Sequence, residues 1–411
     1  MLSVEEALRL VEEHARPLAP RRLPLADAAE LLLAEDVVSE VNSPPYHKAL
    51  MDGYAVVSSD RSEVRTVIEE IGAGTVPRRP VTPGALTRLM TGAPIPDGAD
   101  AVIAFEQTDS IDDRTVRLRQ LDPQPGQHIL PMGAAMKAGD RVLQRGTMLR
   151  PIEIGILAEI GHGLVSVQPR PRVAVLATGN ELVGIGEKPA PGQIRNSNGP
   201  MLAAALAQAG VDAQPLPVAR DEPGILRALI AQGLEADMLL LCGGVSAGKF
   251  DLVPNALSEL DVRQVFHKVA LRPGKPLWFG VKDHGDRQTL VFGLPGNPVS
   301  SFVCYELFAR PAIAALAARG FHGPSPIQAR LSHDFSYKGG RASCLPARIA
   351  PASASSAIHS RSGGESLPTV EILPWHGSAD LVALARANAM ARFGVEPAQF
   401  AAGAVVDAIR I

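Results

Sequence analysis

The sequence predicts a multidomain chain that joins a doubly wound α/β domain to β-rich domains. Three observations carry this. Between about Arg172 and Arg319, short apolar runs alternate with helical stretches, the signature of a mainly parallel sheet with helices on its faces. From about Val41 to Leu149, short apolar or alternating runs are cut by Gly and Pro, as in modules of short strands. The chain has 411 residues, more than one core accommodates, and about 150 residues per domain gives roughly three domains.

Ser3-Val4-Glu5-Glu6 reads as a capping box, and Leu2, Ala7, Leu8 and Val11 make the helix behind it amphipathic. The Ala/Leu-rich stretch from about Ala26 to Leu33 predicts a second helix. Strands are expected at Thr66–Ile68, Ala101–Phe105 and Thr115–Leu118. Pro151, suited to a first helical turn, starts a helix to about Ile160. In the α/β stretch, strands are expected at Val173–Ala177, Met238–Cys242, Val265–Ala270 and Leu290–Phe292. Helices are expected at about Pro200–Gln208, Gly224–Leu234, Leu252–Leu260 and Pro298–Ala318. After Gly323 the texture returns to β, and the Ser/Ala/Gly-rich Ala350–Ser366 reads as an exposed loop.

Composition excludes several classes of function. Charged residues make up 20% and the net charge is −3, so neither nucleic acid nor an anionic membrane is expected as an electrostatic partner. Aromatics at 4% argue against a base-stacking platform. Cys242, Cys304 and Cys344 form no CxxC pair, which favours a reducing cytoplasm over a disulfide framework or zinc cage. The first residues do not resemble a signal peptide, and no apolar run approaches the roughly 18 residues that span a bilayer.

Met51-Asp52-Gly53-Tyr54-Ala55 sets a carboxylate on an apolar run. Such an acid is either a solvated turn residue or one that finds a partner, a metal or a shifted pKa. Gly53 implies close backbone approach or a positive φ. Four loops follow the α/β strands. Thr178-Gly179-Asn180-Glu181 is the first, and Gly243-Gly244-Val245-Ser246-Ala247-Gly248, followed by Asp251, is the second. The latter is glycine-rich, so backbone N–H groups can converge there on an anion. Gly293–Ser301 holds the stiff Pro295-Gly296-Asn297-Pro298 frame, in which Asn297 can cap and Pro298 fits the first turn. Lys268, Arg272 and Lys275 surround the remaining loop and could hold phosphates, the alternative being a solvated face. Glu181, Asp221 and Asp251 at strand ends could place Mg²⁺ beside such phosphates. His47, His128, His267 and His376 show no metal-ligand spacing and read as structural or surface residues.

Taken in order, Met51–Ala55, Met90-Thr91-Gly92-Ala93-Pro94-Ile95-Pro96, Gly243–Gly248, Arg272-Pro273-Gly274-Lys275-Pro276 and Gly293–Ser300 resemble the molybdopterin molybdenumtransferases, the MoeA and gephyrin E-domain family. His376–Leu381 is similar to that family's last domain. The resemblance spans essentially the whole chain and implies an elongated homodimer of four domains. These would be a helical linker domain (1–40 and 138–170), a β-rich domain (41–137), a molybdopterin-binding MoaB/Mog-like α/β domain (171–320) and a C-terminal β-barrel-like domain (321–411). It implies cytoplasmic molybdenum cofactor biosynthesis: molybdate and adenylylated molybdopterin are taken up, AMP is released with Mg²⁺ assisting, and molybdenum stays on the dithiolene. Molybdopterin adenylyltransferase and proteins that deliver the cofactor to molybdoenzymes would be partners.

By the same resemblance Asp52, Thr91, Glu181 and Asp251 are catalytic, with Asp52, Glu181 and Asp251 holding metal. Asp221, Gly243, Gly244, Ser246, Gly248, Lys268, Arg272, Lys275, Gly296, Asn297, Pro298 and Ser300 would bind the pterin and nucleotide. Asp52 and Thr91 of one subunit would face the α/β cleft of the other. Departures from the family pattern concentrate on the β-rich side. His47 stands where the family has an acid, Lys48-Ala49 replace a polar pair, and His128–Ala135 lack an Arg and two acids. Asn180 replaces Asp in the loop usually written Thr-Gly-Asp-Glu. The alternative reading is a catalytically altered paralog that binds the pterin as a scaffold. A third reading, adenylyl transfer to the pterin, is disfavoured because the related adenylyltransferases carry Gly-Gly-Thr-Gly where this chain has Gly-Gly-Val-Ser-Ala-Gly.

Overall fold

The computed structural model describes residues 1–245, 252–350 and 367–411. The chain forms two compact units, Arg22–Val167 and the remainder, Met1–Arg21 with Gln168–Ile411.

The Arg22–Val167 unit is β-rich. Its largest sheet has six strands in the order Ala101–Ala104, Gly53–Val56, Ala85–Leu89, Val64–Ile71, Thr115–Leu118, Thr108–Ser110. Gly53–Val56 lies inside this sheet, antiparallel to both neighbours. Its faces alternate: Tyr54 and Val56 pack with Leu86, Ile103 and Val116, whereas Ala55 packs with Ile71, Leu89 and Val102. A side-chain Cβ at Gly53 would sit inside the Ile103 carbonyl, so this glycine serves close approach rather than a positive φ. The helix expected over Ala26–Leu33 does not form. Leu25–Asp27 is a single 3₁₀ turn and Leu32–Leu33 is a strand. Leu31 and Leu33 point into a core with Val37, Leu149, Leu157 and Val165, so tertiary burial overrides helix propensity. The helix after Pro151 runs to Glu159, as expected.

In the second unit, the capping box at Ser3 and Glu6 starts the Val4–His14 helix. The α/β sheet has the order Asp212–Pro215, Arg172–Ala177, Met238–Cys242, Gln288–Leu294, Trp278–Asp283, Arg263–His267. Its first four strands are parallel and the last two pair antiparallel. Met238–Cys242 is buried along its whole length, as a strand covered on both faces must be. The strand expected over Val265–Ala270 is shorter and earlier, Arg263–His267. Helices at Asn198–Gln208, Pro223–Gly233 and Val253–Glu259 match expectation. The last helical stretch, Pro298–Leu316, contains a π-helical segment, Tyr305–Ala309.

This 19-residue stretch is long and apolar enough to cross a membrane, contrary to expectation, but 83% of its most apolar window is buried in the protein, as in a core helix. Beyond it, Ala342–Ala350, Thr369–Ile372, Ile327–Leu331, Val405–Arg410 and Ala389–Phe393 close on themselves as a five-stranded barrel. Leu271–Arg272 joins the barrel edge in parallel, setting Arg272 opposite Ser343. Of the loop expected at Ala350–Ser366, residues 351–366 lie outside the described residues.

Candidate functional site

Three parallel strands end level with one another. Ala177 pairs with Cys242, and Cys242 with Leu294, so Thr178, Gly243 and Pro295 leave the sheet along one edge. Open α/β sheets bind ligands outside such carboxyl ends. Here the edge forms the floor of a cavity of about 1280 Å³.

The floor needs glycine. Gly243 and Gly244 both have positive φ, 94° and 64°. A Cβ on Gly243 would come within 2.6 Å of the Thr178 carbonyl, and one on Gly244 within 2.9 Å of Thr178 Oγ1. Two polar atoms of this floor are buried without a hydrogen-bond partner, Thr178 Oγ1 and Asn198 Oδ1. Asn198 Nδ2 donates to the Gly296 carbonyl at 2.7 Å, which fixes its amide.

The cavity collects Glu181, Asp221, Gly243, Gly244, Arg272, Lys275, Gly296, Asn297, Pro298 and Ser300 from the sequence-derived candidates. Arg272 and Lys275, both exposed, flank the Pro273-Gly274 turn. The Glu181 carboxylate folds over Gly179, and Asn180 Oδ1 accepts from the Asp221 amide at 3.0 Å. Asn297 stands at the helix start, but its side chain caps nothing; its amide donates instead to Ser378 Oγ at 2.8 Å. Ser300 is buried in the first turn. Burial pushes the Cys242 thiol up to about 12, so this cysteine at the cavity wall is no nucleophile. Lys268 is not among the residues lining the cavity. Its amide donates to Leu277 and its carbonyl accepts from Leu2. Ser246, Gly248 and Asp251 lie outside the described residues.

Asp52 and Thr91 lie in the β-rich unit and are exposed. Asp52 Oδ1 accepts from both Thr91 N at 2.6 Å and Thr91 Oγ1 at 2.7 Å. These bonds, the hydroxyl first and the amide second, hold the carboxyl below the usual carboxylate range. The acid on the apolar run has therefore found a partner. His47 Nδ1 accepts from Met132 N at 3.2 Å, which ties the segment before Asp52 to the one after His128. Among the described residues, no three His, Cys, Asp or Glu side chains converge as a metal cage.

The sequence reading missed Arg195, Asn198, Arg341 and the Trp375–Ala379 loop as cavity residues. Arg341 reaches the site because its guanidinium donates to the Leu271 carbonyl at 3.2 Å beside the barrel edge. No local motif signals such a residue; only the barrel's docking on the Leu271–Lys275 turn brings it in.

Two family models match. One, described as the MoeA N-terminal region (domain I and II), covers residues 2–161, and the other, a probable molybdopterin binding domain, covers residues 174–315. A molybdopterin molybdenumtransferase of Staphylococcus epidermidis is 32% identical over 416 residues, 99% of this chain and 95% of the relative. Molybdopterin molybdenumtransferase 2 of Mycobacterium tuberculosis is 38% identical over 326 residues, 76% of this chain and 79% of the relative. The crystal structure of a molybdopterin biosynthesis MoeA protein from Pyrococcus horikosii superposes with a TM-score of 0.78 at 27% identity, covering 100% of this chain and 99% of that one. With both family regions in order and full-length similarity in sequence and fold, the chain belongs to the molybdopterin molybdenumtransferase (MoeA) family of molybdenum cofactor biosynthesis.

Proposed function

We propose that this protein inserts molybdenum from molybdate into adenylylated molybdopterin and releases AMP. The observation that carries this reading is the cavity at the level strand ends, where a Gly-Gly floor with two unpaired buried polar atoms lies within reach of Arg272 and Lys275. The floor offers hydrogen bonds to the heterocycle, and the two basic groups and the Pro298 helix start offer charge and amides to phosphates. Holding both ends of the substrate fixes the phosphoanhydride between them, so positioning supplies much of the rate.

In the reaction, a water oxygen bonds to the adenylyl phosphorus as the anhydride P–O bond breaks, so AMP leaves and the pterin keeps its own phosphate. The two dithiolene sulfurs then bond molybdenum as one Mo–O bond of molybdate breaks, that oxygen leaving as water with the two thiol protons. Glu181 and Asp221 give the oxygen-only donor set that suits a hard divalent ion sharing its coordination with substrate phosphates. Mg²⁺ held there would neutralise charge on the breaking anhydride. The protein would act in the cytoplasm as a homodimer, in which Asp52 and Thr91 of one subunit complete the cavity of the other. There Asp52, its carboxyl held below the usual range by the Thr91 hydroxyl and amide, would orient the attacking oxygen or the metal ion.

The test is AMP release from adenylylated molybdopterin on adding molybdate and Mg²⁺. Molybdate-dependent release that falls at least tenfold in Asp52→Ala supports the reading. Tight pterin binding with no release overturns it in favour of a scaffold, the reading that the replaced acids around His47 and Ala134-Ala135 favour.

A further inference from the structure

Among the described residues, Trp375 is the only Phe, Tyr or Trp that lines the cavity. Two hydrophobic cores hold its side chain. One is the α/β core, which includes Leu271, Cys304 and Cys344, and the other is the barrel core, which includes Leu345, Ala391 and Phe393. Trp375 is the only partly buried hydrophobic residue, among those described, that packs against both. A ring wedged between two close-packed cores keeps one orientation. The rest of its surface is open. Trp278, the chain's other tryptophan, is buried, and its Nε1 donates to Gln264 Oε1 at 2.9 Å. Trp375 Nε1 has no acceptor among the described residues and is not buried. Half-buried apolar surface with a free N–H at a cavity wall suits a flat heterocycle that carries ring nitrogens.

We propose that Trp375 is a ligand-contacting residue of this cavity, against which a fused, nitrogen-containing heterocycle of the substrate lies. The indole supplies apolar contact area with little loss of motion on binding, because the two cores already fix it. Its N–H donates to a ring nitrogen or carbonyl. The inference rests on the proposed substrate, which carries such a ring at each end, the pterin and the adenine. It assigns recognition of a ring to Trp375, whereas Arg272 and Lys275 meet phosphates, so the two grips can be removed separately.

The test is calorimetric titration of AMP, neopterin and ribose 5-phosphate into the full-length protein, Trp375→Leu and Trp375→Phe. Loss of a stacked partner predicts that Trp375→Leu binds AMP or neopterin roughly 10–100-fold more weakly, while ribose 5-phosphate, which lacks the ring, stays within about twofold. Trp375→Phe keeps an aromatic surface and should recover most of that loss at the native thermal midpoint. A loss confined to AMP puts adenine against Trp375, and one confined to neopterin puts the pterin there. The bound ring should also quench the native tryptophan emission, and that quenching should disappear in Trp375→Leu, where Trp278 alone emits. Unchanged affinity in Trp375→Leu for every probe that the native protein binds overturns the role of Trp375, as does an equal loss for ribose 5-phosphate. Absence of binding of both AMP and neopterin by the native protein instead overturns the substrate reading on which it rests.

Discussion

The Gly243–Gly244 floor and the Asp52–Thr91 pair are the two regions on which the proposed chemistry depends, and they are built in opposite ways. The floor is concave, set at the level ends of three strands, and leaves Thr178 Oγ1 and Asn198 Oδ1 buried and unpaired. The Asp52–Thr91 pair is exposed and already bonded within itself. A region with unmet hydrogen bonds is prepared to receive a ligand, whereas a self-paired carboxylate is prepared to stay ionised and in place. On the proposed reading the first controls binding and the second controls turnover.

The largest expected effect breaks the floor alone. Gly244→Ala adds a Cβ 2.7 Å from Val253 Cγ2 at a φ of 64°, which overpacks the site and strains the backbone. We expect a loss of about 2–5 kcal/mol in stability and complete loss of AMP binding, read by thermal unfolding and calorimetry. Gly53→Ala is the matching change in the other unit. Its Cβ collides with the Ile103 carbonyl and parts two paired strands, so molybdate-dependent AMP release should vanish while AMP binding stays within about twofold. Equal loss of both functions in Gly53→Ala would erase the distinction between the regions.

Next in size is Lys275→Ala, which removes a cavity charge. We expect AMP binding weaker by roughly 10–100-fold, with the dependence on salt reduced. If the two regions belong to different subunits of one cavity, mixing Asp52→Ala with Lys275→Ala protein restores measurable AMP release that neither variant shows alone. Homodimers that never complement place both regions in one subunit.

The smallest effect concerns acid stability. Asp380 has a folded pKa of about 2, depressed first by the Ala383 amide at the start of the Leu381–Arg386 helix and then by the His376 amide. A depressed carboxylate stabilises the fold above its unfolded pKa, and that stability is lost as pH falls through the folded value. The difference in thermal midpoint between the native chain and Asp380→Asn should therefore be constant above about pH 5 and shrink towards pH 2.

Much of the α/β unit is legible in the sequence because a parallel sheet buried on both faces writes itself as unbroken apolar runs, such as Met238–Cys242. Trp278–Asp283 escaped notice because Gly280 interrupts it and its end is polar, although the neighbouring strands bury it. Ala26–Leu33 misled for the converse reason: helix-forming residues there are recruited by a β-rich core. The Gly-Gly loop, the Arg272–Lys275 turn and the Pro-Gly-Asn-Pro frame were legible as ligand loops because local backbone chemistry demands those residues. Asn198, Arg341 and His376 were not, since each reaches the cavity from a distant part of the chain.

The sequence by itself determined most elements of the α/β unit, the family, the glycine floor and the carboxylate on its apolar run, because each depends on short-range backbone geometry or on residues adjacent in the chain. Only the tertiary structure decided that Thr91 satisfies Asp52, that Asn297 bonds Ser378 rather than capping its helix, and that His376 stands at the cavity. Those outcomes depend on which partners strand register and barrel closure bring within about 3 Å, a distance that spacing along the chain does not encode.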